Sequence, residues 1–335
     1  MVKQRHLLPI VYRFIISFLL FIFFTLIAIR LGAATMTTQD IWLSLTTHHQ
    51  GEALDIIREI RLPREIGAIF VGASLAVAGA IMQGLTRNPL ADPGLLGLTA
   101  GANAALALCL AIVPSINYFG IMVACFIGAA LGVMLVFGIG ALKKEGFSPF
   151  RIVLAGAAVS AFLEAVAQGV ALTFKLSKDV SMWTAGGLVG TSWKQLEVIA
   201  PIIFVGLFIA MLFSRQLTVL SLNEEIAVGL GQRTEQVKMI LYVVIILLAG
   251  TSVALVGNLA FIGLMIPHMV RPIVGTDYRA VIPMSAIIGA TFMTIADTLG
   301  RMINAPYETP VAAIVAIFGL PFFLFVVHKG GKVFS

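Results

Sequence analysis

The chain has 335 residues, 59% of them hydrophobic and only 11% charged, with a formal net charge of +6 and a mean hydropathy of +1.03. A soluble domain has about a quarter of its residues charged and a little under half apolar, so this composition belongs to a chain solvated by lipid and leaves no stretch for a folded nucleotide-binding or catalytic domain. Roughly 198 apolar residues, at about 20 per crossing, cap the count at about ten membrane helices, and basic residues in such a chain are explained by topology before nucleic acid.

Apolar runs bounded by charge, Gly/Pro clusters or polar turns predict spans at 10–31, 63–84, 95–113, 117–142, 150–174, 194–213, 235–257, a short 258–270, 279–300 and 307–327. The fold class expected is all-α, a polytopic membrane protein of about ten helices in a single domain, 1–335. The first run follows Lys3, Arg5 and Arg13 and lacks a small-residue exit, so it reads as a retained helix and not a cleaved leader. The eighth ends at Pro267 and its vicinity, too short to span alone, and reads as a half-helix or re-entrant element. With both termini cytoplasmic, fourteen of the 22 Lys and Arg fall inside and eight outside. The outer eight include the cluster Arg58, Arg61 and Arg64, which calls for a functional explanation.

Cys109 and Cys125 lie inside spans and read as small packing residues. Most of the 32 glycines are also inside spans, as in 128–132 and at Gly186-Gly187, where small residues let membrane helices approach closely. An offset of 178 residues aligns Gly79, Pro89 and Gly97 with Gly257, Pro267 and Gly275; if it is not chance, 63–174 and 235–327 are like-oriented halves.

No phosphate-cradling Gly-x-x-x-x-Gly-Lys-[Ser/Thr] loop, His-Glu-x-x-His or Gly-x-Ser-x-Gly is present. Metal sites, cofactors and catalytic residues are therefore not expected, and an enzyme using His268 or Asp297 is a remote alternative. Two acids lie within spans. Asp297 has Arg301 at i+4 to neutralise it. Glu164 has no sequence-local cation: pairing across helices, facing a water-filled cavity and carrying a proton all stay open, and the last defines the rival reading, a proton-coupled secondary transporter.

Three polar loops stand out. Arg61-Leu62-Pro63-Arg64 puts two guanidinium forks at the outer mouth of the second span, suited to capturing carboxylates. Gln83 to Gly94 holds two Pro with Asn, Asp and Gly, a fixed turn. The loop about 217–232 holds a short helix capped by Ser221 or Asn223, with Glu224 and Glu225 at its positive end and Gly229 and Gly231 stopping it. Its stripe of Leu222, Ile226 and Leu230 lies outside the bilayer and should dock on something.

These elements, with Pro267-His268-Met269-Val270-Arg271 and Glu308-Thr309-Pro310, resemble the iron-siderophore and vitamin B12 permease family of ABC importers (FecCD-type, type II importers) in order from about residue 55 to 328. The resemblance implies the type II importer permease fold and a subunit that translocates an iron(III)-siderophore, or a related iron chelate, haem or cobalamin, across a bacterial plasma membrane. It implies four kinds of partner: an ABC ATPase that hydrolyses the ATP, an extracytoplasmic siderophore-binding (lipo)protein, a second permease subunit, alike or paralogous, and membrane lipid. By the same resemblance Arg61, Arg64 and Arg301 dock the binding protein. Leu220, Ser221, Leu222, Glu224, Glu225, Ile226, Gly229 and Gly231 couple to the ATPase. Spans five and ten line the path, Phe147, Ser148 and Pro149 lie near the cytoplasmic gate, and the binding protein makes most of the substrate choice. Glu164 departs from the small or apolar residues usual in relatives.

Overall fold

The computed structural model describes residues 9–32, 36–47, 51–141 and 149–329, and among them every regular element is helical. In chain order these are α1 (Ile10–Arg30), α2 (Thr38–Thr46), α3 (Glu52–Asp55), a π-helical turn (Ile56–Arg61), α4 (Leu62–Thr86), a 3₁₀ turn (Pro93–Leu96), α5 (Leu98–Ile112), α6 (Tyr118–Ala141) and α7 (Pro149–Thr173). There follow α8 (Ser177–Thr184), α9 (Trp193–Leu212), α10 (Ser214–Leu222), α11 (Glu224–Gly229), α12 (Thr234–Val256), α13 (Ile262–Val274), α14 (Tyr278–Met302) and α15 (Val311–Lys329). Seven helical segments are long and apolar enough to cross a membrane, and α5, α13 and α15 are apolar but shorter. Each of these ten sits on one of the apolar runs. The second extends further than expected, because α3 and the π-helical turn run on into α4 to make one segment, Glu52–Thr86.

α4 is the centre of the bundle, buried along almost its whole length, whereas α1 buries only Ala28 and Ile29. Glycines set the helix spacing. A Cβ on Gly72 would lie 2.2 Å from the Gly289 carbonyl oxygen of α14, and one on Gly79 would lie 1.9 Å from that of Gly263 in α13. The backbones of α4, α13 and α14 are thus in direct contact, closer than any larger residue allows.

The break before α13 has a local cause. Gly257 takes φ +76°, and a Cβ there would lie 2.5 Å from the Trp183 carbonyl oxygen. The Gly187 N–H donates to the Val256 carbonyl at 3.0 Å and so closes the end of α12. Inside α13, Pro267 has no N–H for the carbonyl of Gly263 one turn back. The side-chain amide of Gln83 on α4 supplies the missing donor, reaching the carbonyls of Gly263 at 3.3 Å and Leu264 at 3.2 Å.

Of the expected turn, Gln83 to Thr86 complete α4, and the chain turns from Arg87 onward, with the Asn88 carboxamide accepting from the Leu90 N–H at 3.0 Å and Asp92 from that of Gly94 at 2.8 Å. The positions paired by the 178-residue offset fall at different places relative to their helices. Gly79 lies inside α4 while Gly257 follows α12, and Gly97 precedes α5 while Gly275 follows α13. Both cysteines are free, and Cys125 is fully buried.

Candidate functional site

Polar chemistry gathers at three places. The first is the N-terminal end of α4. The π-helical turn leads directly into α4, so Pro63, at its second residue, lies inside one continuous helical segment and lacks the N–H that would reach back to the preceding turn. Arg61 Nη1 donates to the carbonyls of Ile29 at 2.8 Å and Arg30 at 3.1 Å, capping the C-terminal end of α1. Arg64 forks onto Asp297, with Nη2 2.9 Å and Nε 3.0 Å from the carboxylate, and its Nη1 reaches Glu308 at 2.7 Å. Arg301 pairs with Glu65, with Asp297 at 3.1 Å, and with the Thr298 hydroxyl at 3.2 Å. Arg58 caps α2, its Nε donating to the Ser44 carbonyl at 2.8 Å.

The expectation of forks facing outward is therefore corrected: Arg61, Arg64 and Arg301 are each 6% exposed. The physical reason is that a guanidinium at this depth needs a counter-charge. The three arginines meet three acids, Glu65, Asp297 and Glu308, so the cluster is formally neutral. The i, i+4 pairing of Asp297 with Arg301 is present, but Arg64 holds Asp297 with the fuller fork. Glu65 was not singled out in the sequence, although it adjoins the Arg-Leu-Pro-Arg motif, and Glu308 was named only as part of the Glu-Thr-Pro element, without a role. Of the six side chains only Glu308 is substantially open, at 40%.

The second place is the α10–α11 hairpin. Asn223, and not Ser221, caps α11, accepting from the Glu225 N–H at 2.8 Å, while the Ser221 hydroxyl donates back to the Thr218 carbonyl at 2.8 Å. Gly229 ends the helix and Gly231 turns the chain at φ +78°. Leu222 is 69% exposed, and Ile226, Val228 and Leu230 are exposed with it. Leu220 is interior at 2%, so its role is to seat the hairpin rather than to present a surface. Glu224 is bound on both sides, by Lys238 of α12 and, at 3.9 Å, by Arg87 at the end of α4. The hairpin is also tied to α14. The Thr218 hydroxyl donates to Asp277 at 3.1 Å and accepts from the Tyr278 N–H at 3.0 Å. The Arg279 side chain hydrogen-bonds Asp277, which is the main reason its carboxyl is held down at about 2.

The third is a cavity of about 200 Å³ between α5, α7 and the break before α13. Asp92, Thr99, Ser160, Glu164 and Asn258 supply its polar lining. Of the three roles left open for Glu164, this is the one the geometry favours: the residue faces a cavity. Of the expected gate, Phe147 and Ser148 lie outside the described residues and Pro149 opens α7.

The chain matches the FecCD transport family model over residues 19–329. It is 41% identical over 309 residues to the iron(3+)-hydroxamate import system permease protein FhuB of Bacillus subtilis (strain 168), covering 90% of this chain and 79% of that protein. It is 38% identical over 309 residues to the iron-uptake system permease protein FeuB of the same organism, 92% of each chain. The ferric enterobactin transport system permease protein FepD of Escherichia coli (strain K12) is 36% identical over 315 residues, 93% of each. A solved inward-facing structure described as a metal-chelate type ABC transporter shares the fold, with a TM-score of 0.82 at 24% identity over 96% of this chain and 100% of that one. With ten apolar helices among the described residues, the glycine-packed α4 at their centre, and relatives of this kind along nearly its whole length, the chain belongs to the FecCD transport family.

Proposed function

We propose that this chain is the membrane permease subunit of an ATP-binding cassette importer for an iron(III) chelate of the siderophore class, in the bacterial plasma membrane with both termini cytoplasmic. The observation that carries the reading is the hairpin of α10 and α11, which exposes Leu222, Ile226, Val228 and Leu230 beside Glu225. An apolar stripe outside the spans serves no purpose in an isolated bundle and fits a groove on an ATPase subunit. The relatives named above, permeases for iron(3+)-hydroxamate and ferric enterobactin, support the substrate class.

At the opposite end an extracytoplasmic binding protein docks through acidic residues. Because Arg64 is already paired, docking proceeds by exchange: a partner carboxylate takes the place of the half-open Glu308 on the Nη1 side, while Asp297 keeps the other side of the fork. Arg61 and Arg301 hold this end of α1, α4 and α14 together and are reached only if it opens. A second permease subunit, identical or paralogous, covers the exposed apolar faces of α7 and α15 and completes the path.

The test is uptake of ⁵⁵Fe-labelled chelate into proteoliposomes holding this chain with its ATPase and binding protein. ATP-dependent accumulation is expected. Accumulation driven by a proton gradient in the absence of the ATPase would instead establish the secondary-transporter reading.

A further inference from the structure

Glu164 stands within α7, a 25-residue helix of the membrane region. Its face is open: Ala161, Ala165, Gln168 and Gly169 are exposed around it, and a Cβ on Gly169 would meet nothing within 4 Å. Half-buried Ser160 and exposed Gln168 lie one turn to either side, so a polar line runs along an otherwise apolar helix. Among the described residues no cation is paired with Glu164. The cavity it lines contains a second acid, Asp92, the hydroxyls of Thr99 and Ser160 and the amide of Asn258, but no basic side chain. A carboxylate within a membrane span faces water, a partner charge or a pathway, because hydrocarbon does not solvate it. No cation of this chain lies beside it and a polar cavity lies in front of it, and that open polar face on a helix proposed to line the path is what points to a pathway.

We propose that Glu164 gives the permeation path a charge preference, so that it passes cationic and neutral iron(III) chelates readily and retards anionic ones. This deepens the importer reading and rests on it. It also departs from the expectation that the binding protein does nearly all the selecting. The size of the effect follows from electrostatics. A unit charge passing about 7 Å from a carboxylate in water shifts its local population about threefold. Two chelates that differ by two charge units are then separated about sevenfold, and by less at high ionic strength.

The experiment uses the complete transporter in proteoliposomes and two chelates with the same iron core. One is a linear tris-hydroxamate whose free terminal amine makes the ferric complex a cation. The other is the same chelate succinylated at that amine, which makes it an anion. Rates are compared at saturating binding protein, and each variant is judged by the change in the cation-to-anion ratio, so that any preference of the binding protein cancels.

Glu164→Gln is expected to lower the ratio about sevenfold and Glu164→Lys to lower it further. Gln168→Glu, which adds an acid one turn along, is expected to raise it. Ratios unchanged in Glu164→Gln and Gln168→Glu would overturn the proposal while leaving the importer reading intact. Loss of both chelates in a well-folded Glu164→Gln would overturn it in favour of a proton-carrying carboxylate. If the unaltered transporter accumulates neither chelate with ATP, the importer reading falls and takes this one with it.

Discussion

Arg64 and Arg301 show how far a residue's surroundings decide what it can do. Removing Asp297 leaves two guanidiniums buried without their shared carboxylate, and breaking a buried pair in this way costs about 3–5 kcal/mol. Asp297→Ala should therefore melt well below the unaltered protein in detergent. Glu308→Gln should shift the melting temperature little, because a pair with a half-open partner contributes about 1 kcal/mol or less. The same Glu308→Gln change should tighten binding-protein docking by removing the competing internal carboxylate; weaker docking would make Glu308 a structural prop instead. Gln83 offers a second residue-level test. Gln83→Leu orphans the Gly263 carbonyl and should cost about 1–3 kcal/mol. Pro267→Ala restores the backbone donor, so the loss in the double variant should be much smaller. The sequence announced both motifs, Arg-Leu-Pro-Arg and Pro-His-x-x-Arg, but not that Glu308 and Gln83 complete them. Those partners lie 244 and 180 residues away, and no local spacing encodes such pairings.

At the scale of elements, the ten apolar runs were legible because hydrocarbon thickness imposes a length and a composition. The helices that escaped notice are short and polar or follow turns, such as α2, α8 and the π-helical turn before α4. The hairpin α10–α11 was legible as a stripe but not as two helices, and only its geometry separates interior Leu220 from exposed Leu222. Leu222→Asp with Ile226→Asp should abolish co-purification with the ATPase and leave membrane insertion intact, since neither side chain is packed in the bundle. At the turn into α14, Asp277 has a depressed folded-state pKa, so its contribution is full above the ordinary carboxylate value of about 4 and is lost as pH falls through about 2. The melting-temperature gap between the unaltered chain and Asp277→Asn should accordingly narrow from pH 6 to pH 3. Where helix backbones touch, shape leaves no latitude. Gly72→Leu should separate α4 from α14 and prevent stable folding, as seen by loss of a monodisperse peak in size-exclusion chromatography.

For the molecule as a whole, the count of +6 divides differently from the way the sequence suggested. The basic residues at the α4 end are not a free positive surface, because their acids lie folded among them, and among the described residues Glu164 is an acid within a span with no cation paired to it. What the sequence could not carry is the connection between ends. α14 is a single helix of 25 residues, about 37 Å long at 1.5 Å per residue. Its first turn is hydrogen-bonded to the hairpin through Thr218, and its last turns hold Asp297 and Arg301. Two proposed partners thus grip opposite ends of one rod, and their binding equilibria cannot be independent if either displaces it. Thermodynamic reciprocity then fixes the trade: whatever factor the ATPase imposes on docking at Arg64, docking must impose on the affinity of the ATPase.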